Sequence, residues 1–389
     1  MSEFAVPVLR LDDVLPHDNA DLLELAKVGG YHAVVPKGAF QKGDLVIYVP
    51  EASIVPAWIL EKENLVGNLA GNQKNRVKAV KKRGELSQGL VLRASDYAEL
   101  DDDGKPCSYI RGEYLTEQED MSSKLGITKY EPPIPAQLRG NVGALFGYTA
   151  IYDIENIKSR CLFEPEEVVV GVEKAHGTLM EVGWCRDLEP RNECFGDGRV
   201  FVTSKGIAKT GLFIKNDPAN ADNLYLRAFK QFDLLRAIMS IAEMSEEVLR
   251  VYLFGEVFGD VQDLKYGHKP GEFSYGLFDV LIQRRGGIVD GAETGPVTYF
   301  VDAANLPRLA AQQLQLPTLP TIVVGKWMDV ERDLAHFTSG RSLIAPQQIR
   351  EGIVLKPAKE RRHPRYGRII AKSVSPEYLL RKGDTTEFN

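Results

Sequence analysis

The chain has 389 residues, 26% of them charged and 44% hydrophobic. That length is too great for one ordinary core and predicts two domains, and the balance excludes both a disordered chain and one built around bilayer-spanning helices. A formal net charge of −6 excludes a uniformly basic nucleic-acid binder, although charge is locally uneven.

The N-terminus, "MSEFAVPVLRLDDVLPHDNADLLEL", is acidic and periodic, so no signal peptide is expected there. Cys107, Cys161, Cys185 and Cys194 stand far apart with no CxxC pair. This predicts neither a zinc site nor a disulfide framework, and with them a reduced, cytoplasmic protein. The first 150 residues read as short strands between glycine-containing turns. "YHAVVPKGAFQKGDLVIYVP" supplies two, and "RVKAVKKRGELSQGLVLRAS" two more. Such spacing suits a small Greek-key barrel of the oligonucleotide-binding (OB) kind. Within it "KNRVKAVKKRG" carries Lys78, Lys81, Lys82 and Arg83, an RNA-binding candidate that is nearly as well explained by solvated turn lysines. Residues 104–140 lose periodicity and gather Pro132, Pro133 and Pro135, which predicts a linker or strap. The expected division is an OB-like domain with linker over 1–149 and a second, α+β domain over 150–389. In the second domain the apolar spacing of Leu226, Phe229, Phe232, Leu235, Ile238 and Met239 predicts one helix from about Asn223 to Val251. Strands are expected at "VYLFGEVFG", "FSYGLFDVLI", "EGIVLKP" and "GRIIAKS", with a short helix at "AANLPRLAAQQLQ". A second basic run, Lys356 to Lys372, carries seven basic residues against one acidic.

Five short motifs follow one another in the second domain. "EKAHGT" holds Lys174, "FGEVFG" Glu256, "GLFDV" Phe278, "REGIVLKP" Glu351 and Lys356, and "IIAKSVS" Lys372. Each is weak alone, and a lysine ending a valine-rich strand can be merely solvated. In this order and at these separations they resemble nucleotidyltransferase motifs I, III, IIIa, IV and V of the covalent nucleotidyltransferase superfamily. KxHG where DNA ligases and capping enzymes usually have KxDG, with a barrel before the catalytic domain, resembles the ATP-dependent RNA ligases. Within them the resemblance is to the RNA ligase 2 type and the RNA ligase 5 family.

The resemblance implies a fold of antiparallel sheets with helices, and sealing of RNA 3′-hydroxyl and 5′-phosphate ends in a bridged or nicked duplex, as in RNA repair. It also implies a monomer, ATP as AMP donor, and Mg²⁺ or Mn²⁺. A phosphate monoester has no adequate leaving group, so a lysine attacks the α-phosphorus of ATP and carries AMP before passing it on. Free lysine, with a pKa of about 10.4, is only roughly 0.04% neutral at pH 7, and neighbouring cations favour the neutral amine. Carried across by position, Lys174 would be the nucleophile and Glu173 would face the adenine edge. Gly177 would allow close backbone approach, Phe278 would stack on the base, and Lys205, Lys356 and Lys372 would hold the nucleotide and its phosphates. Glu256 would contact ribose or metal, and Glu351 metal.

Three positions depart from the pattern: Leu179 five after the lysine, Ile370 where relatives carry a further lysine, and Ser204–Lys205 where an arginine is often found. Phe278 is also explained as core, His176 as a buttress of the lysine loop, and His363 as a surface residue. The competing readings are a DNA ligase or GTP-dependent capping enzyme, and a non-catalytic RNA-binding protein retaining the fold.

Overall fold

Glycine-punctuated strands close the N-terminal part into a small barrel. The computed structural model describes residues 4–97, 109–110, 113–131, 141–289 and 292–381. One three-stranded sheet pairs Val8–Arg10, Leu45–Val49 and Leu90–Arg93; another pairs Asp13–Pro16, Leu23–Val28 and Tyr31–Pro36. Period-two alternation divides the strand Leu45–Val49 between two cores. Val46 and Tyr48 face Ala26, Val28, Ala33 and Val35, whereas Ile47 and Val49 pack on the opposite side. Residues 80–93 form three short strands rather than two. Val80–Lys82 and Glu85–Ser87 make a hairpin around Arg83–Gly84, both at positive φ as a tight two-residue loop requires, and Leu90–Arg93 follows.

The expected linker is corrected by this core. Leu115, Met121, Leu125 and Ile127 are buried against Val6, Val8 and Ile47, and Thr128–Lys129 pairs with Ser53–Ile54. An irregular strap contributes its apolar residues singly, so it leaves no period to read. Pro132, Pro133, Pro135 and Cys107 lie outside the described residues.

The second unit is built from two sheets. Its strands in chain order are β1 (Val142–Ala144), β2 (Glu155–Asn156), β3 (Val168–Glu173), β4 (Gly177–Cys185), β5 (Val200–Ser204) and β6 (Leu212–Ile214). There follow β7 (Val248–Gly259), β8 (Phe273–Arg284), β9 (Val297–Phe300), β10 (Thr321–Lys326), β11 (Gly352–Pro357) and β12 (Ala371–Val374). One sheet runs β1-β6-β5-β4-β7-β8-β9 and the other β2-β12-β11-β3-β10. All these pairings are antiparallel except the parallel β2–β12 contact. β1 precedes residue 150 yet pairs with β6 of this sheet.

The long predicted helix is two helices, α1 (Leu224–Gln231) and α2 (Leu234–Ala242). Asn223 caps the first by accepting from the Tyr225 and Leu226 amides, and Asp233, at φ 47°, breaks the continuation. Residues from Val248 onward belong to β7, where alternate apolar side chains are buried on both faces. Leu226, Phe229, Leu234 and Ile238 cover one face of the large sheet against Met180, Val182, Val251 and Leu253. The other face meets the smaller sheet through Phe201, Tyr252, Phe254, Val354 and Ile370. Among the described residues no helix is long and apolar enough to cross a membrane. Cys161, Cys185 and Cys194 are free thiols.

Candidate active site

β3 belongs to the smaller sheet and β4 to the larger, so Lys174-Ala175-His176 is where the chain crosses between them. Val169 packs into the outer core of the smaller sheet and Val172 into the cleft, which fixes the strand and delivers Lys174 at its end. The Lys174 amide donates to Gly352 O at 2.9 Å, tying the crossing to β11. Its Nζ is ion-paired with Glu351 Oε1, with 22% of the lysine side chain exposed and 1% of the glutamate. Gly177 is needed for a close approach, although to a strand rather than a nucleotide. A Cβ there would lie 2.2 Å from Val257 O.

Glu351 is fully buried. Burial opposes its charge, but the Lys174 ammonium and His176 overcome this and hold its carboxyl below the ordinary value. Its Oε2 is buried without a hydrogen bond, 3.4 Å from His176 Nδ1. Glu256 shares a face of β7 with Tyr252 and Phe254, and desolvation pushes its carboxyl up to about 8, with Glu351 adding to the rise and Lys174 and Lys205 opposing it. Lys205, just beyond β5, is itself lowered, first by desolvation and then by Lys372 and Lys174, while Asp153 opposes the shift. These mutual effects show that Lys174, Glu256, Glu351, Lys205 and Lys372 are gathered at one cleft.

Two expected contacts, those of Glu173 and Lys356, are placed differently. The Glu173 carboxylate is fully buried and accepts from the Ser342 hydroxyl and, at 2.7 Å, from the Leu343 amide, so it organises a loop. Lys356 is 2% exposed, with Nζ 2.6 Å from Phe278 O and 3.2 Å from Asp279 Oδ2. That ammonium is held by Asp279. Phe278 is the extra residue of a β-bulge, since Phe254 pairs with Asp279 and Gly255 with Leu277. The bulge turns the half-buried Phe278 ring and Asp279 together toward the cleft, the ring edge-on to Tyr152 at 5.3 Å. Lys81, Lys82 and Arg83 are exposed on the barrel hairpin, and Lys78 is half-buried below it.

Several organising residues carried no sequence signal. His176, 3% exposed, bonds to Asp263 and, through Nδ1, to Tyr378 at 2.8 Å; Arg381 grips Asp263 at 2.8 Å. Asp279 gathers Tyr152 at 2.6 Å and Arg368 at 2.7 Å. Asp279 adjoins the singled-out Phe278, and Arg368 lies inside the second basic run; those were the available hints. Asp263, Tyr378 and Arg381 lie far from one another or from His176 in sequence.

Among the described residues no cluster of three or more His, Cys, Asp or Glu could hold a metal unaided. Two carboxylates completed by phosphate oxygens and water suit Mg²⁺ or Mn²⁺, and the orphaned Glu351 Oε2 is a donor of that kind.

Two largely antiparallel sheets thus face each other across a cleft, with a lysine at their crossover and buried carboxylates beside it, the arrangement of a nucleotidyltransferase-like domain. A family model described as RNA ligase matches residues 167–374, more than half of the chain, and the chain belongs to that family. A second model, described as an OB-fold domain, matches residues 5–94. No curated protein matches. Solved structures of Naegleria gruberi RNA ligase are similar. A lysine mutant with AMP and Mn is 19% identical with TM-score 0.69, covering 96% of this chain and 98% of that one. The form with PPi is 19% identical with TM-score 0.68, covering 97% and 98%. Another lysine mutant, with ATP and Mn, is 20% identical with TM-score 0.67, again covering 97% and 98%. At such identities the likeness shows a shared fold.

Proposed function

We propose that this chain joins RNA 3′-hydroxyl and 5′-phosphate ends in a nicked or bridged duplex, using ATP and carrying AMP on Lys174 Nζ. The observation that supports it most is the Lys174–Glu351 pair at the crossover, with Glu256, Lys205 and Lys372 around the same cleft. Lys174 Nζ forms a bond to the α-phosphorus and the bond to pyrophosphate breaks. The RNA 5′-phosphate oxygen then attacks the α-phosphorus, displaces Lys174 Nζ and takes AMP; the 3′-hydroxyl oxygen attacks the phosphorus of the RNA 5′-phosphate, forming the phosphodiester as the bond to AMP breaks.

Glu351 orients Lys174 before ATP enters. A divalent cation held by Glu256 and Glu351 would neutralise charge on the phosphate oxygens. Lys205 and Lys372 stabilise charge developing on the phosphoryl group. Phe278 offers a ring at the cleft for the base, whereas Lys356 acts through Asp279 as a positioning residue and Glu173 through the Ser342 loop. The pairing of β1 with β6 supports a domain division between residues 131 and 142 in place of 149/150. Lys81, Lys82 and Arg83 supply an RNA contact from the barrel. Incubation with α-labelled ATP and Mg²⁺ or Mn²⁺ should label the protein with an acid-labile adduct that Lys174→Ala lacks. No label with either metal would refute the proposal.

A further inference from the structure

The second basic run forms a hairpin, Arg362–His363 paired with Gly367–Arg368. Its root is fixed by two arginines. Arg368 Nη2 lies 2.7 Å from Asp279 Oδ2 and its Nε 2.8 Å from Glu360, with the guanidinium 3.4 Å from the centre of the Phe300 ring. Arg361 Nη2 donates to Glu167 at 2.8 Å and to Leu162 O at 2.9 Å. The tip is equally ordered. His363 Nδ1 accepts from the Arg365 and Tyr366 amides at 3.2 and 3.3 Å, and its ring stacks on Tyr366 at 4.9 Å. The Arg160 guanidinium lies 3.8 Å from the Tyr366 ring centre.

Two further charges, Arg362 and Arg365, are exposed and have no ion pair among the described residues, although the Arg365 guanidinium lies 5.2 Å from the Tyr366 ring centre. Exposed guanidinium groups held on a rigid support make a local cationic site in a chain of net charge −6, and such a site attracts a polyanion.

The position of the hairpin indicates which polyanion. The segment 155–160 connects three elements. Asn156 pairs with Lys372 of β12, Arg160 packs on Tyr366, and Lys158 Nζ bonds to Gln88 Oε1 at 3.1 Å while Ser159 bonds to Tyr31 at 2.7 Å. Gln88 directly follows the barrel hairpin whose turn carries Lys82 and Arg83. One short segment therefore touches the arginine hairpin, the residue that follows the barrel's basic hairpin, and the strand that carries Lys372. The acidic groups on this surface are accounted for in part: Glu155 lies 3.6 Å from Arg160.

We propose that Arg362 and Arg365 bind the sugar-phosphate backbone of the RNA strand whose end lies in the cleft, extending the phosphate track beyond the barrel. This rests on the ligase reading and adds a binding surface to it. The test uses the full chain and a 5′-phosphorylated nicked RNA duplex, with RNA affinity measured at several salt concentrations and labelled-ATP adenylation in parallel. Arg362→Ala/Arg365→Ala should leave adenylation within about twofold. Loss of two phosphate contacts should lower the slope of log affinity against log salt by about 1.4–1.8 and weaken binding at least about tenfold at 0.1 M salt. Arg362→Lys/Arg365→Lys should keep most of the slope, since charge and not fork geometry carries a backbone contact. An unchanged slope and affinity in the alanine pair, with adenylation intact, would overturn the proposal and assign the hairpin to another anionic partner. Absence of adenylation in the wild type would instead overturn the ligase reading, and the salt slope would still judge the hairpin.

Discussion

Removing Lys174 should do more than abolish AMP transfer: it should destabilise the fold through Glu351. The carboxylate is 1% exposed, its Oε1 is paired to Lys174, and its Oε2 has no hydrogen bond. Stripping one partner from a fully buried pair costs about 3–5 kcal/mol. Lys174 keeps 22% of its side chain in solvent, so water partly replaces it and about 2–3 kcal/mol is expected. For a unit of this size that lowers Tm by roughly 5–10 °C. Lys174→Ala should therefore unfold early, and Lys174→Ala/Glu351→Gln should regain most of the loss while remaining inactive. The pH dependence is fixed in sign. Glu351 has a folded-state pKa below its unfolded value, so its contribution is present above the unfolded pKa of about 4.3 and is lost as pH falls through the folded value. The gap between wild type and Lys174→Ala should be full at neutral pH and shrink in acid. Thermal melts of the four members of the cycle from about pH 2.5 to 8, a range that spans both the unfolded and the lower folded value, test this. Equal stability of wild type and Lys174→Ala at pH 7, or no recovery in the double variant, would show that the pair is not coupled as described.

Three further outcomes are expected. Lys356→Met leaves Asp279 buried with Arg368 and Tyr152 as its remaining partners; it should cost about 2–4 kcal/mol in urea unfolding, and Asp279→Asn in that background should recover part of it. Glu181 is 1% exposed, and burial raises its carboxyl to about 8, with only the Ala150 amide lowering it. Its folded pKa lies above its unfolded one, so stability should fall as pH rises from about 4.5 to 8, and Glu181→Gln should flatten that decline by several kcal/mol. Gly177→Ala forces a Cβ to 2.2 Å from Val257 O and should part β4 from β7, lowering Tm and adenylation together; an unchanged melt would contradict that packing.

The sequence by itself determined the local chemistry and the class of fold. A valine-rich strand ending in Lys174, the glutamates at 256 and 351 and the lysines at 205 and 372 could be singled out because short contiguous motifs, weak one by one, resemble in their order those of a known family. The barrel was legible for the same reason, since short alternating strands and turn glycines are local signals. Only tertiary structure decided how those charges are used. Lys356 and Lys372 look alike in sequence, yet a bulge at Phe278 brings Asp279 to Lys356 and pairs the two in the interior. Likewise His176 depends on Asp263, Tyr378 and Arg381, all far from it along the chain. The packing of the expected strap around Met121 into the barrel core and the break at Asp233 were hidden because burial against distant residues overrode local periodicity. Pairing of buried charges is a long-range property, set by which strands become neighbours, and spacing along a chain does not encode it.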